Sequence, residues 1–187
     1  MNPIEECHVA LDAAQRVVDQ VDRVDLGKGT PCADWDVRAL VTHMIWMCDL
    51  FAKGLSGVEQ GDVTQPDDLT AGDSGAAFRR ASAAAMDAWR AGPWDDKLLV
   101  LPFATMPATI ARRIFIGDQL IHTWDLATAL GRTCTMDETL AAQQLEMMQQ
   151  YYNAESRGPD RPFDLATDCA DGATTQDRLI ALSGRNP

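Results

Sequence analysis

Asp118 and His122 stand four residues apart in a stretch, 110–130, whose apolar residues recur with a helical period. At about 100° per residue, with Ile110 set to zero, Ile114, Gly117, Ile121, Trp124 and Thr128 lie within about 40° of that direction and form an apolar stripe. Asp118 and His122 follow at about 80° and 120°, with Phe115 and Leu126 beyond them at about 140° and 160°. Arg112, Arg113, Gln119 and Thr123 are expected on the opposite, exposed side. A carboxylate and an imidazole therefore sit on the inward face of a helix that had a polar face to offer. Burying such a pair is costly unless a partner, hydrogen bonds or a metal ion compensates it.

Two compensations are available. Residues four apart on a helix are neighbours, so the pair can simply bond to itself. A metal ion would need at least one further ligand, and the chain has only two other histidines, His8 and His43. His8 lies among Glu5, Glu6 and Cys7 and reads as a solvent-facing or helix-flank residue. His43 is the stronger candidate. Around it Val37, Val41, Met44, Cys48, Phe51 and Leu55 mark the inward face of a second helix, and His43 falls about 120° from that direction, at the margin of the stripe. A side chain there can reach a neighbouring helix, which is how bundles assemble metal sites from facing helices.

Three segments carry a resemblance. They are Thr30-Pro31-Cys32-Ala33-Asp34-Trp35-Asp36-Val37-Arg38 followed by His43; His122-Thr123-Trp124-Asp125-Leu126-Ala127 with Gly131; and Gln176-Asp177-Arg178-Leu179 with the closing Gly184-Arg185-Asn186-Pro187. Together they resemble the metal-binding domain of the mycothiol-dependent maleylpyruvate isomerase family, within the DinB-like superfamily, over nearly the whole chain. The resemblance implies an all-α, DinB-like four-helix bundle holding one divalent metal, typically zinc, with nickel or iron as alternatives. Carried over position by position, it implies His43, Asp118 and His122 as ligands. The isomerase has glutamate where this chain has Asp118; aspartate is one methylene shorter, so its helix must approach the metal more closely or bind through water. The resemblance also implies mycothiol or a similar low-molecular-weight thiol as cosubstrate, a small electrophilic substrate and a homodimer. The isomerase carries an additional C-terminal domain, whereas residues 1–187 are expected to be a single domain without one.

Two imidazoles and one carboxylate suit zinc, and three protein ligands leave a position open for a thiol, water or substrate. A ligating histidine usually donates its other N–H to a carboxylate or carbonyl. Asp125, three residues after His122, is the candidate for that role or for contacting substrate; a salt bridge or a surface carboxylate is the alternative. Asp34 or Asp36 caps the second helix with Trp35 packed beneath. Cys32, near the same helix start, reads as a small buried residue, Met44 and Met47 as core, and Trp46 as pointing away from the main stripe toward the tail or a second subunit. The leading function is a metal- and thiol-dependent transferase or isomerase. A non-catalytic metal-binding or interaction bundle is the alternative, and a metal-free bundle held by Asp118 and His122 is a third.

Composition narrows the field. Asp plus Glu number 28 against 16 Lys plus Arg, a net charge of −12. Nucleic-acid binding needs a positive footprint, so this chain should repel DNA and RNA. The amino terminus lacks a signal-peptide pattern, and no stretch approaches the ~18 apolar residues of a membrane span. Five cysteines without a C-x-x-C pair read as reduced thiols, which points to the cytoplasm.

Several elements must position these residues. Asn2, Pro3 and Glu5 start a helix predicted to reach about Val24. The second helix spans about 36–55, a long exposed connection 57–74, and a third helix about 75–91. The run 97–102 is extended, a short β-hairpin arm. Pro107 opens the helix of Asp118 and His122, and Gly131 closes it. A capping box at Thr135–Glu138 starts a helix to about Glu155, and an irregular tail from Arg157 contains a short helix at about 175–182.

Overall fold

Asn2 begins the first helix through the predicted reciprocal cap. Its side chain accepts from the N–H groups of Ile4 and Glu5, and its own N–H donates to the Glu5 carboxylate. The helix α1 (Pro3–Val18) stops six residues before the expected Val24. Beyond it Asp25 Oδ2 accepts from the Asp22 N–H at 3.0 Å, and Asp25 N–H donates to the Asp22 carbonyl at 2.9 Å. Such local bonding by an aspartate offers the backbone an alternative to the helix.

Asp36, rather than Asp34, caps α2 (Val37–Leu55) by accepting from Ala39 N–H. Asp73 caps α3 (Ser74–Arg90) in the same way. A hairpin of β1 (Leu98–Leu101) and β2 (Ala104–Pro107) pairs Leu99 with Met106 and Val100 with Thr105. It leads directly into α4 (Ala108–Ala129), after which Gly131 takes a φ of 66°, a conformation that glycine adopts without strain.

The computed structural model describes residues 1–61, 64–152, 157–158 and 163–187. They form two compact units, Met1–Cys134 and Thr135–Pro187. In the first unit α1 packs along α3 and α4, and α2 packs along α3 and α4, giving a four-helix bundle with the ring order α1, α3, α2, α4. Phe51, Trp89 and Phe115, all buried, put their ring centroids 5.0–6.4 Å apart and join α2, α3 and α4. Apolar burial of this kind, not helix propensity, supplies most of a bundle's stability. The hairpin packs on α2 and α4.

The second unit holds α5 (Glu138–Tyr151) and α6 (Thr175–Leu182), packed on each other. Asp137, not Thr135, caps α5, accepting from Leu140 N–H at 3.1 Å. Aspartate is at least as good a cap as threonine, and Met136 N–H is taken instead by Gln176 Oε1 at 2.8 Å. The expected end of this helix at Glu155 lies outside the described residues. No helix among the described residues is long and apolar enough to cross a membrane.

One expectation for α4 fails. Gln119 and Thr123, predicted on an exposed face, are buried at 0% and 2%, whereas Thr128, predicted inward, is exposed. Arg112 is half-buried with its guanidinium carbon 6.0 Å from the Trp89 ring centre, and Arg113 alone of that set is exposed. The reason is packing: α1, α2 and both hairpin strands surround α4, so Gln119 and Thr123 donate inside the protein, while Gln119 Oε1 and Arg112 Nε are buried without a hydrogen-bond partner among the described residues. Gln119 Nε2 donates to the Met44 carbonyl of α2 at 3.2 Å, and the Thr123 hydroxyl donates to the Gln119 carbonyl at 2.6 Å.

Candidate metal centre

Where α2 and α4 face each other, His43 Nε2 lies 3.0 Å from Asp118 Oδ1, and His122 Nε2 lies 3.5 Å from the same oxygen. One ligand-type atom from each of His43, Asp118 and His122 falls within 4.8 Å of the others. Two zinc ligands at about 2.0–2.1 Å and a tetrahedral angle would be about 3.3 Å apart. The two nitrogen–oxygen separations bracket that edge.

The hydrogen bonds on the far sides of the rings fix what these atoms present. Gln65 Nε2 donates to the Ala39 carbonyl at 3.2 Å, which leaves Gln65 Oε1 to accept from His43 Nδ1 at 3.0 Å. Asp125 Oδ2 accepts from His122 Nδ1 at 2.9 Å. With both Nδ1 atoms protonated, both Nε2 atoms of the neutral rings carry lone pairs. Two lone pairs and a carboxylate oxygen then point into one small volume, an arrangement that is repulsive until a cation occupies it. A proton can serve for the His43–Asp118 contact. Burial lowers the His43 pKa, but the Asp118 carboxylate and the hydrogen bonds to Asp118 and Gln65 outweigh it and hold the group above the usual histidine value.

Asp125 is not a surface carboxylate, and it pairs with His122. It is fully buried, bonds His122 and also accepts from Cys32 Sγ at 3.2 Å. His8 is exposed, as expected.

Three residues around the site escaped the periodicity argument. Trp35 lies over both imidazoles, with ring centroids 4.6 Å from His43 and 5.6 Å from His122, rather than tucked under the helix cap. Trp46 is 5.9 Å from His43, so the residue expected to point elsewhere borders the site. Its place three residues after His43, on an adjoining helix face, was the available signal. Cys32 is half-buried, 3.9 Å from His122 Nδ1, rather than a core filler.

Gln65 arrives on the long connection, which is pinned along α2. Gln60 Nε2 donates to the Leu50 carbonyl, Leu69 N–H donates to the Thr42 hydroxyl, and Asp68 pairs with Arg38 at 2.6 Å. The sequence marks this segment only as a long exposed connection; residues 62–63 lie outside the described part.

The fold and the cluster together define a helical-bundle protein in which two histidines and one carboxylate, a group that could hold a metal ion, meet between α2 and α4. The family model for the mycothiol maleylpyruvate isomerase N-terminal domain matches residues 7–127, and the chain belongs to that family. That span includes His43, Asp118, His122, Asp125, Cys32 and Gln65.

Two Mycobacterium tuberculosis proteins, the uncharacterized protein MT0763 of strain CDC 1551 / Oshkosh and the uncharacterized protein Rv0738 of strain ATCC 25618 / H37Rv, are each 28% identical over 186 residues. The match covers 99% of this chain and 98% of each relative. Among solved structures, a histidine-to-alanine mutant of the mycothiol-dependent maleylpyruvate isomerase superposes with a TM-score of 0.60 at 17% identity, covering 80% of this chain and 69% of that chain. The unmutated isomerase gives 0.53 at 18% identity with the same coverage. At these identities the likeness is one of fold.

Proposed function

We propose that His43, Asp118 and His122 hold one divalent cation, zinc before nickel or iron, and that the protein is a transferase or isomerase using a low-molecular-weight thiol of the mycothiol type on a small electrophile. The convergence of two lone-pair nitrogens, both oriented from behind, and one carboxylate oxygen carries this reading. The donor set fits the group: nitrogen and oxygen ligands in the number zinc takes when a position is left open. Bound there, such a cation supplies Lewis acidity that stabilises a thiolate at neutral pH.

The chain's own residues set the selectivity. Two neutral imidazoles and a single carboxylate leave a divalent ion with one net positive charge, which favours an anionic visitor over a neutral one. Gln65 and Asp125 hold both rings with Nε2 facing inward, so little reorganisation is needed on binding. Trp35 and Trp46 border the imidazoles with apolar surface that limits access of water and offers contact to an organic substrate. The isomerase in the two solved structures is named as mycothiol-dependent, which supports a thiol of that kind here.

A panel of thiols assayed with electrophilic substrates, including maleylpyruvate, tests the proposal. Zinc-loaded protein should accelerate thiol addition or thiol-dependent isomerisation for at least one pair, and His122→Ala should abolish it. Metal uptake without turnover by any thiol would leave the non-catalytic metal-binding bundle as the better description.

A further inference from the structure

The site holds one titratable side chain that the proposed chemistry does not use, Cys32. It sits in a turn built for it. Thr30 Oγ1 accepts from the Cys32 N–H at 3.1 Å and reaches the carbonyls of Trp35 at 2.9 Å and Cys32 at 3.2 Å. Trp35 N–H closes the turn onto the Cys32 carbonyl at 2.9 Å, and a bridge between Gly29 and Asp36 closes its neck. This geometry sets the sulfur on the fully buried Asp125 carboxylate while Trp35 covers the imidazoles.

Cys32 Sγ and His122 Nδ1 both bond the same oxygen, Asp125 Oδ2, at 3.2 Å and 2.9 Å. The sulfur therefore acts as a donor. Losing its proton would set a thiolate against a carboxylate, which opposes a nucleophilic role. His122 and Asp125 share α4, whereas Cys32 comes from the loop before α2, so its donation to the same oxygen restrains the carboxylate from outside its own helix against rotating away from the ring it serves.

We propose that Cys32 is a positioning residue, fixed by the Thr30–Trp35 turn, whose S–H locks Asp125 so that His122 keeps its Nδ1-protonated tautomer and presents Nε2 to the metal. The proposal rests on the reading of His43, Asp118 and His122 as ligands only for its effect on affinity; the orientation of Asp125 and the tautomer of His122 stand without it.

The test compares wild type, Cys32→Ala and Cys32→Ser in two measurements. Zinc affinity by competition with a chromogenic chelator should fall about tenfold in the alanine variant, the lower end of what loss of an outer hydrogen bond costs a metal site. The serine variant, which restores an O–H donor, should stay near wild type. Nitrogen-15 NMR of the histidine rings in chelator-treated protein should show His122 as the Nδ1–H tautomer in wild type and the serine variant, and as a mixture in the alanine variant. Thermal melts of the metal-free proteins identify any variant that has lost the fold, and the remaining variant then decides against wild type.

Equal affinity and equal tautomer populations in wild type and Cys32→Ala would overturn the proposal. So would a serine variant as defective as the alanine one. A wild type that takes up no zinc would remove the metal reading, and the tautomer measurement would still decide the role of Cys32.

Discussion

Gln65 Oε1 accepts the Nδ1 proton of His43 at 3.0 Å, although the two residues lie on opposite sides of a turn out of α2 and along the connection that follows. That bond, with the Gln65 amide anchored on the Ala39 carbonyl, determines which ring nitrogen of His43 faces Asp118. Replacing Gln65 by alanine should weaken zinc binding by about 10–100-fold while leaving the melting temperature of metal-free protein close to wild type. Isothermal titration with zinc checks the first part and calorimetry the second. Unchanged zinc affinity would show that the tautomer is fixed by something else.

The His43–Asp118 contact predicts a pH dependence in chelator-treated protein. Asp118 and the hydrogen bonds raise the His43 pKa against the lowering effect of burial. A raised folded-state pKa contributes stability that is complete below the unfolded value of about 6.5 and is lost as pH rises through the folded value. Metal-free wild type should therefore lose melting temperature as the pH is raised from about 6.5 upward, more steeply than His43→Ala. Zinc affinity should run the opposite way and increase with pH, because metal displaces that proton. Parallel melting curves for the two proteins would contradict the assignment.

Asp125 is bonded by two donors in a fully buried place, and its loss should cost both affinity and stability. Asp125→Asn keeps the shape and an acceptor but removes the charge; zinc affinity should fall about 10–100-fold. Asp125→Ala removes the acceptor that His122 and Cys32 share and should destabilise the fold by about 1–3 kcal/mol as well. Urea unfolding of the two variants separates these effects, and equal stability loss in both would argue against them.

Phe115 lies on the same helix as Asp118 and His122 but belongs to the aromatic cluster with Phe51 and Trp89. Phe115→Ala should cost about 3–5 kcal/mol of stability by opening a cavity, yet leave metal stoichiometry unchanged where the protein stays folded. Loss of metal without loss of stability would mean that this cluster, and not the polar bonds alone, holds the site geometry.

Local chemistry made much of the fold legible. Asn2 with Glu5, Asp36, Gly131 and the stretch at 97–102 mark helix ends and the hairpin through short-range rules, and the structure keeps each of them. Where two local signals compete, sequence reasoning slipped: Asp25 diverted the end of α1, and Asp137 outranked Thr135 as a cap. The exposed face assigned to α4 failed because periodicity sees one helix at a time, while Gln119 finds its partner on α2.

The candidate site divides along the same line. Helical spacing put Asp118 and His122 on an inward face, His43 at the margin of its stripe and Asp125 three residues beyond His122, and the resemblance joined the first three into one ligand set. Gln65, Cys32 and Trp35 come from loops, and their places depend on side-chain bonds to Ala39, Asp125 and Thr30 that no spacing rule encodes.

The central claim is that His43, Asp118 and His122 bind a divalent cation together. Untagged protein should be analysed for bound metals and titrated with zinc alongside His43→Ala, Asp118→Ala and His122→Ala. The account predicts about one equivalent per chain for wild type and a loss of tight binding in each variant. Undiminished metal content in the two histidine variants, or a wild type that binds none, would contradict it.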